Sequence, residues 1–252
     1  MGRRMRVGVM AFFLAGVLSP LSARAQKATG DAEGSFNTGL AHMRDNRPAL
    51  ALEEFKKAVH QDPKNPYFYK GLGLAYLQLG KYPDAITSLR KALDLNPYYV
   101  DVHNDLGTAF ILAGRREDGK SEFLSAFNDA TNPSPDLSSR NLGQAYLEEK
   151  NYVQAANWFQ TSINRNKRNP DAYVGLGESL LALGRAEQAI EPLEGGLKEA
   201  PGHLEMLVTL GEAYYRAGRF NEARTRLEEV SRRDPVGAQG RRAADLLKHF
   251  PK

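Results

Sequence analysis

The sequence predicts an all-α solenoid of six helix-turn-helix repeats closed by a C-terminal capping helix, and three observations carry that expectation. Gly39, Gly73, Gly107, Gly143, Gly177 and Gly211 recur at steps of 34, 34, 36, 34 and 34 residues. Twelve residues after each comes a small residue: Ala51, Ala85, Gly119, Ala155, Ala189 and Ala223. Four further on comes a large apolar one: Phe55, Leu89, Phe123, Phe159, Leu193 and Leu227. A period of this length marks an array in which each unit leaves an apolar face for its neighbour to bury.

The chain begins with a segment of different character. Arg3, Arg4 and Arg6 precede an uncharged apolar run, Val7 to Leu18, and Ala23-Arg24-Ala25 supplies small residues at a cleavage site. Twelve residues as a helix span roughly 18 Å, short of a bilayer core of roughly 30 Å, so residues 1–25 read as an export signal and not a membrane span. Residues 26–31 read as a linker. The units follow at 32–65, 66–99, 100–135, 136–169, 170–203 and 204–237. In each, apolar residues at helical spacing give one stripe per half, as with Leu72, Tyr76 and Leu79 and then Ala85, Leu89 and Ala92. Gly80, Gly114, Gly184 and Gly218, each followed by Lys or Arg, end the first helix. Proline closes most units, at Pro63, Pro97, Pro201 and Pro235. Residues 238–252 form the cap, with Ala243, Leu246, Leu247 and Phe250 on one face and Arg241, Arg242 and Lys248 on the other.

Composition narrows the chemistry. Of 252 residues, 42% are hydrophobic and 25% charged, a balance that folds. With no cysteine, a disulfide framework, a thiolate zinc site, a catalytic thiol and a lipoprotein anchor are all excluded from this sequence. The net charge of +4 resides in the leader: removing its four arginines from the 34 basic residues leaves 30, equal to the 30 acidic ones. The argument for binding nucleic acid goes with them. His42, His60, His103, His203 and His249 are dispersed, with no metal-ligand spacing, and His103 takes the slot held by Tyr69 and Tyr173 in other units. Gly71-Leu72-Gly73 and Gly175-Leu176-Gly177 lie inside helices, where a dinucleotide fingerprint would follow a strand. Residues 164–170 form a basic inter-repeat turn. We therefore expect no catalytic residue, no cofactor and no metal.

A 34-residue unit with Leu-Gly, Tyr, Ala, Phe or Leu, Ala and Pro in this order resembles the tetratricopeptide repeat, over roughly residues 32 to 237. The resemblance implies a right-handed superhelix whose concave wall is lined by the second, fifth, ninth and twelfth positions of each first helix. Carried over, those positions give a partner-binding groove of Phe36, Leu40, Met43, Tyr67, Lys70, Leu74, Leu77, Asn104, Thr108 and Ile111 in the front half. The back half, with Arg140, Gln144, Asp171, Glu178, Glu205 and Glu212, is mixed and acidic. Leucines at the twelfth position read equally as inter-repeat core. Phe36, Leu40 and Leu74 suggest a groove for an amphipathic helix or an extended apolar peptide.

One irregularity is distinctive. The 36-residue step lengthens the turn from Asn128 to Asp136, between His103-Asn-Asp-Leu-Gly-Thr-Ala-Phe110 and Asn141-Leu-Gly143. An exported six-repeat chain with this junction resembles the type IV pilus biogenesis family of PilF/PilW-type pilotins. That resemblance implies a scaffold that helps the outer-membrane secretin to assemble, with the secretin or one of its segments as partner. The family carries a lipid on a cysteine at the signal cleavage site, which this sequence lacks, so the expected location is the periplasm, in association with the outer membrane. The repeat pattern fits equally a periplasmic adaptor of another export machine.

Overall fold

The computed structural model describes residues 20–250, and side chains from residue 30 on. Those residues form thirteen helices: α1 (Pro20–Arg44), α2 (Pro48–Gln61), α3 (Pro66–Gln78), α4 (Tyr82–Leu95), α5 (Val100–Leu112), α6 (Arg116–Asn128), α7 (Pro135–Glu148), α8 (Tyr152–Arg165), α9 (Pro170–Ala182), α10 (Ala186–Glu199), α11 (Leu204–Arg216), α12 (Phe220–Arg233) and α13 (Ala238–Leu247). The odd-numbered helices from α1 to α11 are the first helices of the six units, and α13 is the cap. Of the export signal expected at residues 1–25, residues 1–19 lie outside the described residues and 20–25 begin α1.

Each first helix ends in the same turn. Gly80, Gly114, Gly184 and Gly218 have φ between +69° and +78°. In the second unit the Gly80 amide donates to the Leu77 carbonyl and the Lys81 amide to the Tyr76 carbonyl. This double bond pattern satisfies carbonyls that the ended helix would leave open. The first and fourth units place Asn46 (φ 56°) and Lys150 (φ 60°) in that slot, with the same pair of bonds. The second turn of the first four repeats has its own device. Asp62, Asn96, Asp129 and Asn166 accept from the backbone amide two residues on, closing an Asx turn after the second helix.

The periodic glycines are points of closest approach. A Cβ on Gly39, Gly73, Gly107, Gly143, Gly177 or Gly211 would lie 2.5 to 3.0 Å from the ring or branch of Phe55, Leu89, Phe123, Phe159, Leu193 or Leu227 respectively. The residue pairs that the period singled out are therefore physical contacts, and all six large side chains are buried. In the third unit the backbones themselves meet, since a Cβ on Gly119 would stand 2.8 Å from the Gly107 carbonyl oxygen.

The backbone of each first helix comes close to that of the next first helix, whereas consecutive second helices stand further apart and meet only through long side chains, as Phe127 of α6 and Trp158 of α8 do. The first-helix wall is therefore the inner one. The core runs the length of the array, with its largest cluster around Phe159, Tyr173, Leu193 and Met206. At the end, Leu246, Leu247 and Phe250 cover Leu207, Val208 and Val230.

One element differs from expectation. Residues 26–31, read as a linker, are helical within α1. Proline is absent from them, and they continue backwards from Ala32, which is fully buried beside Ala58 and Phe68. A helix already anchored by packing extends at small cost, because only nucleation is expensive.

Candidate functional site

The concave wall is built from the first helices, and the ten residues expected to line its front half fall into two sets. Phe36 belongs to the packing between units, its ring 5.5 Å from that of Phe55 and 5.1 Å from that of Phe68. Met43 packs on the same cluster and Leu77 on the next one, around Leu89, Leu106 and Phe110. Asn104 is only 6% exposed, and its side-chain oxygen has no hydrogen-bond partner. Asn104 is buried, and Phe36, Met43 and Leu77 are half-buried against the core, because the fifth and twelfth positions here face the neighbouring repeat as much as the groove. Leu40 and Tyr67 are exposed, and Lys70 and Leu74 are half-buried. Thr108 and Ile111 line a cavity.

Lys70 stands at the middle of a polar cluster. Its Nζ lies 3.8 Å from Asp101, 3.6 Å from Asp105 and 5.0 Å from the centre of the Tyr99 ring. Tyr67 and Tyr99 stack edge-tilted at 5.1 Å. Burial pushes the Asp105 carboxyl up to about 6, with Lys70 opposing the rise, and burial likewise pushes the Tyr99 hydroxyl up to about 12.

Two adjoining cavities lie further along the concave wall. A cavity of about 310 Å³ is lined by Arg140, Asn141, Gln144, Asp171, Val174, Glu178 and Glu205, over a floor of Phe159 and Gly175. A second, of about 190 Å³, is lined by Thr108, Ile111, Leu112, Ala145 and Glu148 over Phe123, and shares Asn141 and Gln144 with the first. The two adjoin at Asn141 and Gln144 along one trough, mostly apolar at one end and rich in carboxylates at the other. The rings of its floor, Phe123 and Phe159, come from the second helices and are nearly covered between adjacent first helices, which is why positions of the first helix alone did not disclose them.

Charges in the trough are partly paired. Arg140 donates to Asp171 at 2.6 Å and to Asn141 at 3.2 Å. Arg242, from α13, reaches back over the wall to Glu212 at 3.0 Å and Glu178 at 3.5 Å. Burial raises the Glu178 carboxyl above its ordinary value; Arg242 opposes this, while Glu205 and Glu212 add to it. Glu205 has no ion pair among the described residues.

Other residues singled out by sequence are structural. His103 pairs through Nδ1 with Glu122 at 2.7 Å, and the Trp158 ring meets Phe127 edge-on at 5.3 Å. Among the described residues no cluster of three His, Asp or Glu could hold a metal ion, and no helix is long and apolar enough to cross a membrane.

Comparison with known proteins agrees with this architecture. Models described as tetratricopeptide repeat match residues 14–66, 36–100 and 70–126, and then 146–198 and 186–247. The fold is similar to that of PilW, a widely conserved type IV pilus biogenesis factor, at TM-score 0.73 and 18% identity, covering 83% of this chain and 96% of that one. It is similar also to PilF of Pseudomonas aeruginosa, at TM-score 0.72 and 18% identity, covering 90% and 100%. Among curated sequences, the CTR9 homolog of Arabidopsis thaliana is 27% identical over 111 residues, 42% of this chain and 10% of that protein. BBSome complex member BBS4 of Bos taurus is 28% identical over 107 residues, 42% of this chain and 20% of that protein. The match thus spans a tenth to a fifth of the curated relatives' own lengths. Six stacked helix pairs, a concave wall of first helices and family models over most of the length leave one assignment: the chain belongs to the tetratricopeptide repeat family, whose repeats serve as protein-interaction scaffolds.

Proposed function

We propose that this chain is a non-catalytic scaffold of the cell envelope that assists assembly of the outer-membrane secretin used by type IV pili, and so supports pilus-dependent motility. The observation that carries the reading is architectural. The described fold is similar to PilW over 96% of that chain and to PilF over 100% of that chain, so no large part of either is left over. The lengthened turn between the third and fourth units supports it from the sequence side. In the structure that turn is held by Asn132, whose side-chain amide donates to the Ala126 carbonyl at 2.6 Å and to Ser138 at 3.3 Å. We place the protein in the periplasm against the outer membrane, reached through the export signal and held there by its partner.

The test is an envelope immunoblot for heat-resistant secretin multimers in wild-type and deletion cells. The expected result is loss of multimers while secretin monomer persists, restored by the wild-type chain. Unchanged multimers would overturn the reading.

A further inference from the structure

We propose that the trough across the third to sixth units binds an extended segment of the partner protein bearing a large apolar side chain followed, a few residues on, by arginine or lysine. This rests on the scaffold reading and names the chemistry that the scaffold recognises. It also moves the recognition site from the front half of the array, where sequence placed it, to the centre and back.

Four observations converge on that occupant. At one end, Ile111 and Leu112 wall a cavity floored by the Phe123 ring, and Leu112 is 49% exposed although nothing polar requires it there. Covering such a side chain with an apolar partner removes its surface from water, which favours association. In the middle, Asn141 and Gln144 line both cavities. Asn141 accepts from Arg140 through its oxygen, and Gln144 donates to Glu148 at 3.1 Å, so each keeps the complementary half of its carboxamide for a peptide backbone. At the other end, three carboxylates, Asp171, Glu178 and Glu205, share the cavity with one guanidinium, Arg140, which is already committed to Asp171. The chain itself shows what these carboxylates accept, because Arg242 of the cap helix is drawn to Glu178 and Glu212. Glu205, unpaired in the same cavity, offers the place for a second cation, this one from the partner.

An acidic or purely apolar ligand fits poorly. The first would set its charge against Glu178, whose carboxyl is already disfavoured by burial and by its neighbours. The second would cover Glu205 and leave it buried without a partner, a cost that selects against it.

The experiment is a random-peptide display selection on the purified full chain, followed by fluorescence anisotropy with the enriched peptide. The expected consensus pairs a large apolar residue with Arg or Lys, and binding weakens as salt rises. Glu205→Lys and Leu112→Asp are each expected to weaken binding at least tenfold without loss of helical circular dichroism, Glu205→Gln by less, and Leu40→Arg not at all. Three results would overturn the proposal: no enrichment, a consensus lacking the basic residue, or Glu205→Lys binding within twofold of wild type. If Leu40→Arg alone abolishes binding, the site is in the front half instead. Failure here is separable from failure of the secretin reading. Multimers lost on deletion with no basic preference would sink only the trough, whereas multimers unchanged with the peptide still bound would sink only the secretin.

Discussion

Asp105 lies at the junction of the second and third units with one carboxyl oxygen buried and without a hydrogen bond. Lys70 approaches it at 3.6 Å, too far to donate well, so burial outweighs attraction and the carboxyl titrates at about 6. The folded value exceeds the ordinary 3.8, so the folded chain binds this proton more tightly than the unfolded one. The associated stability is therefore present below about pH 4 and lost as pH rises through about 6. Asp105→Asn should abolish that loss. We expect it to unfold at higher temperature than wild type at pH 7, by a stability gain of about 1–3 kcal/mol, and at nearly the same temperature at pH 4. Thermal melts followed by circular dichroism at the two pH values check this. A gain that is equal at both would mean that titration is not its cause. No sequence rule marks Asp105, since its burial comes from repeats that meet across 34 residues of chain.

At the scale of the helix pair, the decisive contact is a glycine facing a ring. Gly107 is the case where ring and backbone both crowd the site, because a Cβ there would lie 2.5 Å from Phe123 and 3.0 Å from the Gly119 carbonyl oxygen. Phe123 can swing, but the backbone of α6 cannot, so even Gly107→Ala should separate the helices slightly and Gly107→Leu should do so fully. The expected losses are about 1 kcal/mol for the first and about 3 kcal/mol or more for the second, read from urea unfolding midpoints. Gly30, whose Cβ would meet nothing within 4 Å, is the control, and Gly30→Ala should cost nothing. This contact was legible in the sequence because both partners fall inside one repeat at fixed spacing. The Asx turns are less legible in the sequence, because Asp62, Asn96 and Asn166 share one repeat position while Asp129 stands one residue earlier and the fifth unit has Ala200 there.

Across the whole molecule, stability passes from neighbour to neighbour, since helix pairs touch only the pairs beside them. Removing α13 by ending the chain at Asp234 would uncover Leu207, Val208 and Val230, and would also release Glu178 and Glu212 from Arg242. The expected damage is local. Amide protons of α11 and α12 should lose protection in hydrogen exchange, while those of α3 to α6 keep it. Protection lost uniformly along the chain would show that the array folds as a single cooperative block, contrary to the contacts described.

The sequence by itself determined the number of units, the glycine turns that end four of the first helices, and the repeat positions at which each glycine and its large apolar partner recur. It could do so because one local constraint, two helices held close by a small residue, is written out six times, so that chance agreement at so many spaced positions is negligible. Only the tertiary structure decided which residues of the concave wall are free. Phe36, Met43, Leu77 and Asn104 sit at groove positions yet are taken up by packing, while the trough's floor is Phe123 and Phe159 from the second helices. It also made residues 26–31 helical, by anchoring α1 at Ala32. The reason is the same in each case. Helix formation and pairing are set within one repeat, whereas burial on the concave wall depends on how far successive repeats close upon one another, and that distance is fixed by side chains 34 or more residues apart.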